Sequence, residues 1–144
     1  MKGRPRIPRS RLRPRFSPGV GKPRVLVVDD ERGILDFFKK VLAKEGYRVS
    51  TARNGQTGLK KVRKSKPDII LLDLKMPSMD GVELLGRIQR IDKRIVVIMI
   101  TAFGTMQTAR QAMQLGAFDY ITKPFDLEYV KALIRDGLKA TLKV

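Results

Sequence analysis

Residues 68–80 read Asp-Ile-Ile-Leu-Leu-Asp-Leu-Lys-Met-Pro-Ser-Met-Asp. Ile69 to Leu72 run unbroken into Asp73, and a loop containing Pro77 and Ser78 follows. A short continuous apolar run bounded by turn residues reads as a strand buried on both faces; one wet face would produce alternation instead. The same grammar repeats on either side. Upstream, Val25–Val28 runs into Asp29, Asp30 and Glu31; downstream, Ile95–Ile100 runs into Thr101, and Phe118–Thr122 into Lys123-Pro124. Tyr47–Thr51 reads as one more strand.

Between these runs the spacing turns helical. Ile34, Leu35, Phe37, Phe38, Val41 and Leu42 recur at helical intervals and stop at Gly46, a residue suited to a left-handed cap. Thr57 to Lys64 predicts a short helix ended by Lys66-Pro67, and Val82, Leu84, Leu85 and Ile88 a third. Thr105–Leu115, closed by Gly116, predicts a fourth, and Leu127 to about Leu142, capped by Asp126, a fifth. Gly81 and Gly116 are expected to serve turns. Five βα units in strict alternation imply a doubly wound parallel α/β sheet with right-handed crossovers. A flavodoxin-like (βα)5 order, 2-1-3-4-5, suits this length.

Composition narrows the chemistry. The 144 residues contain neither Cys nor His, which excludes disulfides, thiol chemistry, Ser-His-Asp catalysis and the usual zinc sites. A metal, if bound, must sit on oxygen. The longest apolar run, Ile95 to Ile100, is far too short to span a bilayer, and the basic start lacks the apolar core of a secretory signal, so a cytoplasmic setting is expected. Of the net charge of +17, residues 1–24 supply nine Lys or Arg with no acid, leaving +8 for the remainder. Five of the eight prolines fall there too. Residues 1–23 are therefore expected to be a disordered basic tail, with the folded domain over residues 24–144. Lys60, Lys61, Arg63, Lys64 and Lys66 crowd the second helix and its end, as a solvated cationic face or a docking surface for an acidic partner.

In open parallel sheets, ligands sit beyond the carboxyl ends of the strands, at the point where strand order reverses. The order 2-1-3 brings Asp29, Asp30 and Asp73 together there. Three carboxylates in one cleft need neutralising, and Mg²⁺ is the natural counter-ion because it takes oxygen ligands and pairs with phosphate. Lys123 adds a positive charge and Thr101 a neutral hydrogen bond. Such a kit suits phosphoryl transfer, with Asp73 as nucleophile, Asp29 and Asp30 on the metal, and the Lys75 backbone carbonyl as one further metal ligand.

The motifs VLVVDDE (25–31), DIILLDLKMPSMDG (68–81), IVVIMITAFG (95–104) and GAFDYITKPF (116–125) resemble those of response-regulator receiver domains. The resemblance covers about residues 24–142. It implies that Asp73 accepts a phosphoryl group from a histidine kinase or phosphotransfer protein, and that Thr101 and Lys123 contact that group. It further implies a cis Lys123-Pro124 bond, a switching role for Tyr120 together with Thr101, and output through a downstream effector protein. Within the family, LLDLKMPSMDGVELLGRIQRID (71–92) and the stop after the fifth helix look most like single-domain sporulation phosphorelay intermediates, while TAFGTMQTA (101–109) and LGAFDYITKPFDL (115–127) are also similar to the receivers of nitrogen-regulation activators; a monomer is expected.

Two other readings compete. Aspartate-nucleophile phosphatases use a similar set of groups, but carry the nucleophile on the first strand and a general-acid Asp two residues later. Here that position holds Lys75, so an acyl phosphate should persist for minutes or longer, with Lys75 and Phe103 flanking the path of water. The basic tail could alternatively bind nucleic acid through phosphate contacts. Sequence-specific recognition is not expected of it, nor nucleic-acid binding beyond the tail.

Overall fold

The computed structural model describes residues 21–102 and 104–142. The predicted disordered tail, apart from residues 21–23, and Phe103 lie outside the described residues. The elements alternate from start to finish: β1 (Arg24–Val28), α1 (Arg32–Lys44), β2 (Arg48–Ala52), α2 (Gly55–Ser65), β3 (Ile69–Leu72), α3 (Gly81–Ile91), β4 (Val96–Thr101), α4 (Met106–Gln114), β5 (Asp119–Thr122) and α5 (Leu127–Leu142). The sheet is parallel, in the order β2-β1-β3-β4-β5.

Continuous apolar runs became the central strands because both sheet faces are covered. Leu26, Val28, Ile70, Leu72, Val97 and Met99 point into one core cluster with α2, α3 and α4 residues such as Leu59, Leu84 and Ala112. Val25, Val27, Ile69, Leu71, Ile98 and Ile100 point into the other, shared with Leu35 and Phe38 of α1 and Val130 and Ile134 of α5. Each fully buried aliphatic side chain contributes about 1.5–3 kcal/mol. Alternation along β3 divides that burial evenly between the two layers, so all four of its residues are buried.

Helix ends follow local chemistry. After α1, Gly46 takes φ +95°, its N–H bonds to Ala43 O and that of Tyr47 to Leu42 O, which satisfies two end carbonyls as a Schellman motif does. Gly116 (φ +102°) repeats this after α4, its N–H donating to Met113 O and that of Ala117 to Ala112 O. The start of α2 differs from the sequence reading: it begins at Gly55, two residues before Thr57, because Asn54 Oδ1 accepts from Thr57 N at 2.9 Å and caps the earlier turn. Asp126 caps α5 as expected, accepting from Glu128 N at 2.9 Å.

Gly81 corrects an expectation. It serves no left-handed turn, and it is absent from the positive-φ residues of the described chain. It is a site of close approach: a Cβ there would meet the Asp73 carbonyl oxygen at 2.5 Å and Leu74 Cα and O at 2.6 Å. Its N–H donates to Leu74 O at 2.6 Å, and Lys75 and Asp80 form an antiparallel bridge that closes the β3–α3 loop. The phosphoacceptor candidate Asp73 and the first turn of α3 thus share one packed corner.

Candidate functional site

The register of the sheet lines up the strand ends. Val28 of β1 pairs with Leu72 of β3, so Asp29 and Asp73 follow directly from paired residues, and Thr101 ends β4 beside Thr122, the residue before Lys123. The carboxylates of Asp29, Asp30 and Asp73 each place an oxygen within 4.8 Å of the others. Asp29 and Asp73 are buried, and Asp30 is half-buried.

Asp29 is held from two sides. Its Oδ1 accepts from Glu31 N at 2.9 Å and its Oδ2 accepts from Lys123 Nζ at 2.9 Å. The same ammonium lies 3.9 Å from Asp73 Oδ2 and 3.5 Å from Glu31 Oε1. Burial alone would lower the Lys123 pKa, but the hydrogen bond and charge of Asp29, with Asp73 and Glu31 behind it, hold it above its ordinary value. Lys123 stays charged.

The pKa of Asp73 is also raised, which for a carboxyl favours the neutral form. Desolvation, then the charge of Asp29, raise its pKa above the ordinary carboxylate value, and Lys123, the Thr101 hydroxyl and the Lys75 N–H offset only part of this. That N–H lies 3.4 Å from Asp73 Oδ1, at the long end of hydrogen-bond range. A stability consequence follows from the sign. Without a metal ion, the native state binds a proton at Asp73 more readily than the unfolded chain does, so the domain loses stability as pH rises from the ordinary carboxylate value through the raised native one. Asp73→Asn removes that loss. In chelator at neutral pH the variant is expected to melt higher than the parent, with a flatter pH profile. A lower melt for the variant would refute the repulsion.

The residues fit a hard divalent cation. Three clustered carboxylates, one of them held above its ordinary pKa by burial and then by the charge of another, are an all-oxygen donor set with excess negative charge. Lys75 is the second residue beyond Asp73 in the loop, its side chain exposed.

Tyr120 sits on β5, paired with Met99, and packs half-buried against the α2–α3–α4 cluster. Met99 and Thr101 lie two residues apart on β4 and share a face, so Tyr120 and Thr101 are diagonal neighbours on one side of the sheet. The Tyr120 hydroxyl lies 3.2 Å from Thr108 Oγ1. Thr108 and Thr105 form the capping box of α4, so Tyr120 is tied to the first turn of that helix. Gly104 makes room for it: a Cβ there would stand 2.9 Å from Tyr120 Cε1 and Cζ.

The strand-end pattern thus finds all five polar residues. It does not find Glu31 as a partner of Lys123, although Glu31 is adjacent to the acidic pair, nor Gly104 and Thr108 around Tyr120. Those contacts depend on which loops meet, and spacing along one strand carries no trace of it.

The sequence matches the response regulator receiver domain over residues 25–135. The chain belongs to this family. As a receiver of the two-component response regulators it is a signalling protein and not a classical enzyme. It is 42% identical over 119 residues to sporulation initiation phosphotransferase F of Bacillus subtilis, covering 83% of this chain and 93% of that protein. It is 36% identical over 116 residues to the regulatory protein AtoC of Escherichia coli, there covering 81% of this chain but only 25% of that protein. Among solved structures, a CheY-like receiver domain protein from Methanospirillum hungatei superposes with a TM-score of 0.83 at 32% identity, covering 85% of this receiver and 98% of that chain. A BeF3-activated DrrB receiver domain gives 0.76 at 27%, covering 82% and 98%.

Proposed function

We propose that this receiver takes a phosphoryl group onto Asp73 from the phosphohistidine of a histidine kinase or phosphotransfer protein, and passes the signal on by protein contact or onward transfer. The observation that carries this is the Lys123 ammonium lying against both Asp29 and Asp73 while three carboxylates converge. An Asp73 oxygen attacks phosphorus and the new P–O bond forms as the donor's P–N bond breaks, its electron pair leaving on the imidazole. Lys123 offsets the negative charge of the incoming oxygens, and the Thr101 hydroxyl donates to one of them. Asp29, Asp30, Asp73 and the Lys75 carbonyl would hold Mg²⁺, which when bound supplies the remaining charge neutralisation.

Thr101 and Tyr120 would carry the change outward. Were the hydroxyl of Thr101 drawn to the phosphoryl group, Tyr120 could follow it inward and release Thr108, loosening the α4 cap. The 93% coverage of sporulation initiation phosphotransferase F supports a phosphorelay role of that kind. A cytoplasmic place of action is consistent with the absence, among the described residues, of any helix long and apolar enough to cross a membrane. Lys75 in the position two residues after Asp73 supplies no carboxylate to activate water, which suits a phosphoryl group that lasts for minutes.

The test is chemical. Incubation with labelled acetyl phosphate and Mg²⁺ should give one hydroxylamine-labile phosphoryl group per chain, and excess chelator should reduce its formation at least about a hundredfold. Label that resists hydroxylamine, or forms equally in chelator, would refute the acyl phosphate or the metal.

A further inference from the structure

Residues 46–67 hold seven Lys or Arg and no Asp or Glu. The fold gathers four of the seven, Arg48, Arg63, Lys64 and Lys66, with Lys22 and Arg24, while Arg53 follows the far end of β2 and Lys61 Nζ donates to Thr51 O near that end. Arg48 opens β2 directly beside Arg24, which opens β1, and Arg48 N donates to Pro23 O at 2.9 Å. The Arg24 guanidinium donates to Ser65 O at 2.7 Å, at the end of α2. The starts of two strands and the end of one helix therefore form a single corner, where Lys22, Arg24, Arg48, Arg63, Lys64 and Lys66 are all exposed. None of the six makes an ion pair with a carboxylate among the described residues, whose ion pairs involve other cations. This corner stands at the opposite end of the strands from Asp29 and Asp73.

Two cations in the last turn of α2, Arg63 and Lys64, complement the helix dipole. Arg24 also serves that helix end through Ser65 O, and its N–H donates to the buried Asp68 carboxylate at 2.8 Å; Lys22, Arg48 and Lys66 add exposed positive charge beside them. A partner must be polyanionic to relieve it, and the apolar content of the corner says which kind. The exposed large hydrophobic side chains of the described residues are Phe37, Ile91, Met106, Leu115 and Tyr129, none within residues 46–67. A protein–protein interface draws on a desolvated apolar or aromatic centre, and among the described residues this face has only Tyr47 and Val49, both half-buried against the core. Duplex nucleic acid needs only cations, because its charge density of about one per 1.7 Å of axis makes counter-ion release the driving force. Against the expectation that nucleic acid would meet the tail alone, we infer that this basic corner of β1, β2 and α2 is a docking surface for the phosphate backbone of duplex nucleic acid, without sequence preference and independent of phosphoryl transfer at the other pole.

The probe is a mixed-sequence duplex DNA of about 20 bp, titrated with the full chain by fluorescence anisotropy between about 50 and 200 mM salt. Combined Arg63→Gln, Lys64→Gln and Lys66→Gln is expected to weaken binding at least about tenfold and to flatten the log–log salt slope by roughly two to three, at about 0.9 per phosphate contact. Arg48→Gln, on a separate element, should flatten it by about one. The triple variant should take phosphoryl label at the parental rate, since its changes lie at the far pole. Unchanged affinity and slope would assign any binding to residues 1–23 and overturn the proposal. So would binding to phosphatidylserine vesicles with none to the duplex, or no binding by the parent at low salt.

Discussion

Asp73→Asn is expected to take no phosphoryl label from acetyl phosphate, a loss of at least about a thousandfold, while folding as well as the parent. The amide keeps the shape of the carboxylate and can still accept hydrogen bonds from Lys75 N–H and Thr101, but its oxygen is a far weaker nucleophile. Asp29 and Asp30 remain in the variant, as close as before. If either could act as acceptor, label would persist, so the variant separates Asp73 from its neighbours. Asp29 should fail as a substitute because it is held more tightly than Asp73: Glu31 N and Lys123 Nζ each donate to it at 2.9 Å, whereas Lys75 N lies 3.4 Å and Lys123 Nζ 3.9 Å from Asp73. Measurement by radiolabel or intact mass, with circular dichroism to confirm the fold, decides it. Label above about one part in a hundred of the parental level would move the acceptor elsewhere.

Gly81→Ala should be the most damaging single methyl in the domain. The added carbon would fall 2.5–2.6 Å from three backbone atoms of Asp73 and Leu74, and backbone atoms cannot rotate aside as a side-chain tip can. Either the first turn of α3 retreats or the Asp73–Leu74 peptide does. We expect a stability loss of about 3 kcal/mol, near the upper end for overpacking, seen as a melting temperature roughly 10 °C lower. Because the displaced peptide carries Asp73, the labelling rate at saturating acetyl phosphate should also fall, by about tenfold or more. Gly33→Ala is the matched control: Gly33 lies in α1 with nothing within 4 Å of the added carbon, and Ala there should stabilise by up to about 1 kcal/mol. Near-parental melting and labelling of Gly81→Ala would show that the corner yields without cost.

These two residues mark what can be read along a chain and what cannot. Asp73 was legible because a strand buried on both faces is an unbroken apolar run, and a polar residue ending such a run needs a reason to be there. The same holds for Asp29, Thr101 and Lys123, and five such units with right-handed crossovers narrow the sheet order to a few, of which 2-1-3-4-5 suits the length. Gly81 was legible only as a glycine. Its spacing is the same whether it supplies a left-handed turn or a bare Cα for a neighbouring peptide, and only the packed corner separates the two. The early start of α2 was missed for a related reason: Asn54 is a turn residue and a cap residue alike, and its bond to Thr57 N decided between them. Glu31 and Lys123 stand 92 residues apart, beyond the reach of any local pattern.

That separation bears on how the protein is made. Asp29 emerges early in synthesis and its partner Lys123 comes 94 residues later, so the two can meet only after four strands have paired and the fifth has docked at the edge. Contacts of such range form late, because the loop between them must be closed before they return anything. A nascent or partly refolded chain would hold its acidic pair without the ammonium that answers it, and would be a poor phosphoryl acceptor. Competence to receive a signal then begins only when the last strand is in place, so that maturation of the chain and its entry into signalling are a single event.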